Sequence, residues 1–134
     1  MAAPAFNHVD VCVSGLERSL AFYRGVLGHL GLHRESTIEG ERGEVVHYLS
    51  TPGGSLGLRE ARGSAPVDRY AVGLHHLAFD APSREAVDAV AEWLRTEGAE
   101  IEGGPGERGY SPGYYAVFFF DPDGLKLEVV HSPD

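Results

Sequence analysis

Hydrophobic and polar positions change period several times along the chain, and the changes mark out elements. Residues 6–13 (FNHVDVCV) alternate, the period-2 pattern of a half-buried strand. Ser14-Gly15-Leu16-Glu17 follows with the form of a capping box, Ser14 as N-cap and Glu17 at N3. Leu16, Leu20, Tyr23 and Leu27 then share one helical face, and Gly28 supplies a stop. A weaker strand is expected within residues 32–37 and a stronger one at 45–50 (VVHYLS). A turn at 51–54 (TPGG) leads into another strand at 55–59 (SLGLR).

The same order then returns. Residues 73–80 (GLHHLAFD) read as a strand, Ser83 as the cap of a helix running to about Glu97, and Gly98 as its end. Val87, Val90, Ala91 and Leu94 line the inner face of that helix. A short strand starts at Ile101, a long one covers 114–120 (YYAVFFF), 121–124 (DPDG) turns, and 125–130 (LKLEVV) closes the series. His8-Val9-Asp10-Val11 aligns with His76-Leu77-Ala78-Phe79, and TPGGSLGLRE with DPDGLKLEVV. The offsets differ slightly, as loops of unequal length would make them. The chain is therefore read as a duplicated βαβββ unit, an α+β domain over residues 1–134. The modules cover about residues 5–62 and 71–132, joined within the polar segment 61–70.

Composition narrows the function. Apolar residues at 43% and charged residues at 23% belong to a globular domain, and a net charge of -9 argues against nucleic-acid or anionic-membrane surfaces. One cysteine, Cys12, excludes an intrachain disulfide and a thiolate-rich metal site. No apolar run has the length of a membrane span, and the N-terminal residues lack the pattern of a signal peptide, so a cytoplasmic location is expected.

The candidate chemistry starts from Glu128. It interrupts an apolar strand that follows the run VFFF, and a buried carboxylate needs a strong partner. His8 and His76 occupy equivalent places in the first strands of the two modules. If the modules pack about a pseudo-twofold axis, two imidazoles and one carboxylate can share a face of a divalent metal and leave positions open for substrate.

NHVDVCVSGLERSLAFYRGVLG at residues 7–28, GLHHLAFD, and FFFDPDGLKLEVV at 118–130 resemble the vicinal oxygen chelate superfamily. That superfamily includes glyoxalase I, extradiol dioxygenases, fosfomycin-resistance thiol transferases and bleomycin-binding proteins. The resemblance implies tandem βαβββ modules curved into a partly open mixed barrel. It implies one divalent ion (Fe2+, Mn2+, Ni2+, Co2+ or Zn2+) held by His8, His76 and Glu128. A small-molecule substrate and a homodimer, with no nucleic acid or membrane partner, are expected with it. The activity implied is a lyase, isomerase or ring-cleaving dioxygenase; the alternative is an antibiotic-sequestering binding protein.

Two departures from the family pattern stand out. Aligning the turns puts Leu58 where glyoxalase I has a second metal-binding Glu, with Glu60 two residues further on the same face. Residues 102–115 (EGGPGERGYSPGYY) contain no Lys, which disfavours a phosphonate substrate. Asp10 shares a face with His8 by strand alternation, as a general base, a substrate anchor or a carboxylate bonded to a neighbouring strand. Of His47 and Tyr48, only one can face the site, and His47 is the expected acid–base residue. Tyr110, Tyr114 and Tyr115 flank Pro112-Gly113 and are expected to line a pocket. His75 is expected to point away from His76, at the surface or core edge.

Overall fold

The structure, a computed structural model, describes residues 6–63 and 65–133. The chain divides into two compact units, Met1–Ser64 and Ala65–Asp134. The first contains β1 (His8–Val13), α1 (Leu16–Gly28), β2 (Arg34–Glu39), β3 (Val45–Thr51) and β4 (Gly54–Glu60). The second repeats the order with β5 (His76–Asp80), α2 (Arg84–Thr96), β6 (Ile101–Glu107), β7 (Tyr115–Phe120) and β8 (Lys126–His131). Each unit forms its own four-stranded mixed sheet, ordered β1-β4-β3-β2 and β5-β8-β7-β6. In both, the first and last strands run parallel and the other neighbours antiparallel.

Each sheet carries its helix on one face, which is why the strands alternate as they do. In the first unit Leu20, Tyr23, Val26 and Leu27 of α1 are buried, and so are Val13, Leu49, Leu56 and Leu58 of the sheet. In the second, Val87, Val90, Ala91 and Leu94 of α2 are buried, as are Val117, Phe119, Leu127 and Val129. Residues paired across neighbouring strands share a face. The pairings therefore assign His8, Asp10, Tyr48 and Arg59 to the face of the first sheet away from α1. They assign His76, Glu128 and Phe118 to the face of the second sheet away from α2.

Several local expectations need correction. Ser14 does not cap α1: the N-cap is Gly15, without a side-chain hydrogen bond, and Ser14 Oγ accepts from Arg18 Nη2 at 2.9 Å. Glu17 still lies in the first turn, where its charge suits the helix dipole. Ser83 does cap α2, accepting from the Ala86 amide at 3.1 Å. β2 starts later than expected, at Arg34, and all six of its residues are exposed, so no buried face marks it in the sequence. The short strand expected at Ile101 extends through Glu107. Its glycines and proline conceal it, and its pairing with β7 shifts register twice, as bulges do.

The alignment of the two hairpins also changes. Thr51 pairs with Gly54 across a tight turn, whereas Phe120 pairs with Lys126 across the longer DPDG loop. Measured from the first strands, Asp10 pairs with Gly57 and Ala78 with Glu128, so Gly57, and not Leu58, occupies the place equivalent to Glu128. A side chain there would displace its neighbours: a Cβ on Gly57 would meet Asp10 Oδ1 at 2.4 Å and Tyr48 Cε1 at 2.6 Å. Leu58 is buried on the helix-covered face. Glu60 pairs with Val13 in an unbroken register, which puts it on the face opposite His8.

Candidate metal centre

Glu128 is 3% exposed, and two side chains meet its carboxylate. The Tyr114 hydroxyl donates a short hydrogen bond to Oε2, and His76 Nε2 lies 3.4 Å from Oε1. Among the described residues no lysine or arginine pairs with it: Lys126, two residues away, is taken by Glu102 at 2.9 Å. Burial, and then the bond to Glu128, push the Tyr114 phenol far above its ordinary range, so its proton stays on the oxygen. Tyr114 thus fixes one carboxylate oxygen and leaves the other turned toward His76.

His76 is held from its other side. Its Nδ1 is 2.7 Å from Nδ1 of His75, with the two rings in an edge-to-face arrangement. Burial, followed by the electrostatic influence of His76, Lys126 and Arg69, pulls the His75 imidazole below its ordinary range. A neutral His75 can accept the Nδ1 proton of His76, which leaves the lone pair of His76 on Nε2, the atom facing Glu128. His75 therefore does not point away from His76 as strand alternation suggests. It precedes β5, where alternation does not apply.

In the first unit His8 Nδ1 donates to Asn7 Oδ1 at 2.7 Å, which likewise directs the Nε2 lone pair outward. The Tyr48 ring stands edge-on to His8 at 5.7 Å, and its hydroxyl donates to Asp10 Oδ2 at 3.2 Å. Arg59 Nη2 donates to the same oxygen at 2.6 Å, and its Nη1 reaches Glu41 and Glu44. Tyr48, and not His47, is therefore the residue of β3 that shares the face of His8. His47 pairs with Thr37 and Leu58, and its Nε2 is 2.7 Å from Glu35, which also binds Arg24 of α1. The single-residue alternation that separates the two side chains gave no basis in sequence for choosing between them.

The three tyrosines divide in the same way. Tyr114 belongs to the Glu128 face, and Tyr110 stacks edge-on against it at 5.2 Å with most of its surface exposed. Tyr115 faces the helix instead: its hydroxyl donates to Asp88 at 2.6 Å, and Arg84 lies over its ring. It does not belong with a pocket on the Glu128 face.

The donor chemistry fits a divalent ion. Two donors bound at about 2.1 Å to one tetrahedral or octahedral ion stand roughly 3.0–3.4 Å apart, whereas a good N–H···O bond is about 2.9–3.0 Å. The His76–Glu128 separation of 3.4 Å agrees with the first. Within neither unit does a set of three His, Cys, Asp or Glu ligands gather among the described residues.

Residues 5–129 match the family model of the Glyoxalase/Bleomycin resistance protein/Dioxygenase superfamily. The chain belongs to this superfamily. Its curated relatives include the uncharacterized protein YqjT of Bacillus subtilis (strain 168), 33% identical over 131 residues, covering 92% of this chain and 96% of that protein. Among solved structures, the glyoxylase/bleomycin resistance protein/dioxygenase domain from Frankia sp. EAN1pec is 25% identical with a TM-score of 0.79, over 98% of this chain and 99% of that one. A glyoxalase/bleomycin resistance protein from Albidiferax ferrireducens T118 is 29% identical with a TM-score of 0.73, over 95% and 98%. Superfamily membership makes the tandem-module fold an inherited architecture. Sequence reasoning missed Asn7 and Arg59 and gave His75 and Tyr48 no supporting role, because the contacts by which they hold the candidate residues depend on rotamers and not on periodicity.

Proposed function

We propose that this protein is a divalent-metal-dependent enzyme acting on a small molecule with adjacent oxygens, with His8, His76 and Glu128 as metal ligands. The observation that carries the reading is the His76–Glu128 pair, spaced for a common ion, with Glu128 buried and without a lysine or arginine partner among the described residues. The repeat-equivalent position of His8 supports its place as third ligand. Bound there, a divalent ion supplies Lewis acidity to two substrate oxygens. The chain does the rest. Tyr114 holds Glu128, Asn7 and His75 hold the imidazoles, and Asp10 offers a carboxylate oriented by Arg59 and Tyr48. These features suit a lyase, an isomerase or a ring-cleaving dioxygenase.

Elemental analysis of protein purified without chelator is expected to find close to one divalent ion per chain. Protein that emerges metal-free, and takes up no Fe2+, Mn2+, Ni2+, Co2+ or Zn2+ on dialysis, would replace this reading with a sequestering protein. A screen of metal-reconstituted protein against catechols, thiol hemithioacetals and epoxides then separates the reaction types.

A homodimer is expected in addition. The edge strand β2 exposes all six residues, Ile38 among them, with Val45 of β3 exposed beside it, and open edges are normally paired or covered. Sedimentation at micromolar concentration should give twice the mass of the chain; a single-chain mass sinks the expectation.

A further inference from the structure

Arg108 is the cation on the Glu128 face that the proposed function leaves without a task. Its guanidinium stacks on Phe118 at 5.1 Å, and Phe118 pairs directly with Glu128 across β7 and β8. The other cations of that region have carboxylate partners. Lys126 and Arg69 both bind Glu102, and Arg84 binds Glu107. Arg108 has no carboxylate partner among the described residues, and its Nε is buried without a hydrogen bond.

The surrounding backbone is shaped for this side chain. A Cβ on Gly103 or on Gly104 would come within 3.1 Å of Arg108 Nη2, and one on Gly104 would also strike the Ala116 carbonyl. Gly104 has a φ of 87°, which a larger residue would adopt only with strain. The two glycines leave the room into which the guanidinium fits against β7. The Arg108 amide donates to the Tyr114 carbonyl at 2.8 Å, so the residue presenting the cation is tied to the residue that orients Glu128.

We propose that Arg108 is a substrate-binding residue that receives a carboxylate of the substrate on the His76–Glu128 face. The inference rests on the proposed function for the place of the reacting oxygens, but not for the anion site itself. A guanidinium stacked on an aromatic face can still give two parallel bonds to a carboxylate from its Nη1–Nη2 edge. A doubly charged phosphate suits the place less well, because the Glu128 carboxylate lies on the same face beside Phe118. Selectivity would follow from this geometry: an acid binds Arg108, while its neutral ester leaves the cation uncompensated.

The test compares 3,4-dihydroxybenzoate with its methyl ester, which keeps the adjacent oxygens and removes the charge. Binding is measured by calorimetry to Mn2+-loaded and metal-free protein. Wild type is expected to prefer the acid by about 10-fold or more, and Arg108→Gln to lose the preference while binding Mn2+ as wild type does. Arg108→Lys should recover part of it, since a point charge replaces the fork. Equal binding of acid and ester by wild type, or an undiminished preference in Arg108→Gln, overturns the assignment. Competition by inorganic phosphate at much lower concentration than by acetate overturns the carboxylate specificity. Wild-type protein that binds none of Mn2+, Fe2+, Ni2+, Co2+ or Zn2+ defeats the metal reading alone, because the comparison on metal-free protein still decides Arg108.

Discussion

Glu128→Gln is expected to weaken divalent-metal binding by at least about 100-fold without destabilising the metal-free protein. The two halves of this result have different causes. Gln keeps the shape of Glu and an oxygen to accept from Tyr114, so the hydrogen bond to Oε2 has a replacement. It lacks the anionic oxygen that faces His76 at 3.4 Å. In the metal-free protein that anion is buried without a lysine or arginine, and removing an uncompensated buried charge is neutral or favourable.

The contrast is read by thermal unfolding. At a free metal concentration about 1,000 times its dissociation constant, binding stabilises the wild type by roughly 4 kcal/mol. The variant should gain no more than about 1.4 kcal/mol at the same concentration, which follows from a dissociation constant weakened at least 100-fold. Tyr114→Phe separates ligand from support: it leaves the charge, removes the orienting donor, and is expected to weaken binding by about 10- to 100-fold. If Glu128→Gln melts earlier than wild type without metal and shows the same metal-dependent rise, Glu128 is a structural residue. The proposed function then loses the observation that carries it.

The fold was legible because each module repeats a pattern that periodicity detects. Alternation in β1 and β5 and the apolar stripe of α2 follow from one face being buried against a helix, while β7 reads as an apolar run because both its faces are buried. The elements poorly read in the sequence lack that cause: β2 is exposed throughout, and β6 is built on glycines and a proline. The candidate site was legible to the same depth. The positions of His8 and His76 and the burial of Glu128 come from repetition and hydrophobic context. The choice of Tyr48 over His47 and the equivalence of Gly57 with Glu128 depend on hairpin loop length, which shifts register by one residue and so exchanges the faces. The sharing of the site face by Tyr114 and not Tyr115 depends on where β7 begins, which is the least certain property of a sequence-derived element.

Asp10→Asn is expected to lower turnover by roughly 100-fold while leaving metal content and fold intact, the scale of a lost proton-transfer or anchoring carboxylate. Asp10 shares the face of His8, and one of its oxygens is fixed by Arg59 at 2.6 Å and Tyr48 at 3.2 Å. Oδ1 lies over Gly57, which carries no side chain. Such a carboxylate is oriented before substrate arrives, which is what distinguishes a positioned base or anchor from a mobile surface group. Asparagine keeps a carbonyl oxygen for Arg59 and Tyr48 but cannot accept a proton as a carboxylate does. The competing role is to hold Arg59 and Tyr48 in place, and it predicts unchanged turnover with a lower thermal midpoint. Arg59 has Glu41 and Glu44 as further partners, so its position should survive the change. Metal content, thermal midpoint and turnover measured on the one variant separate the roles. A rate within twofold of wild type would leave Asp10 as a structural partner of Arg59 and remove it from the reacting face.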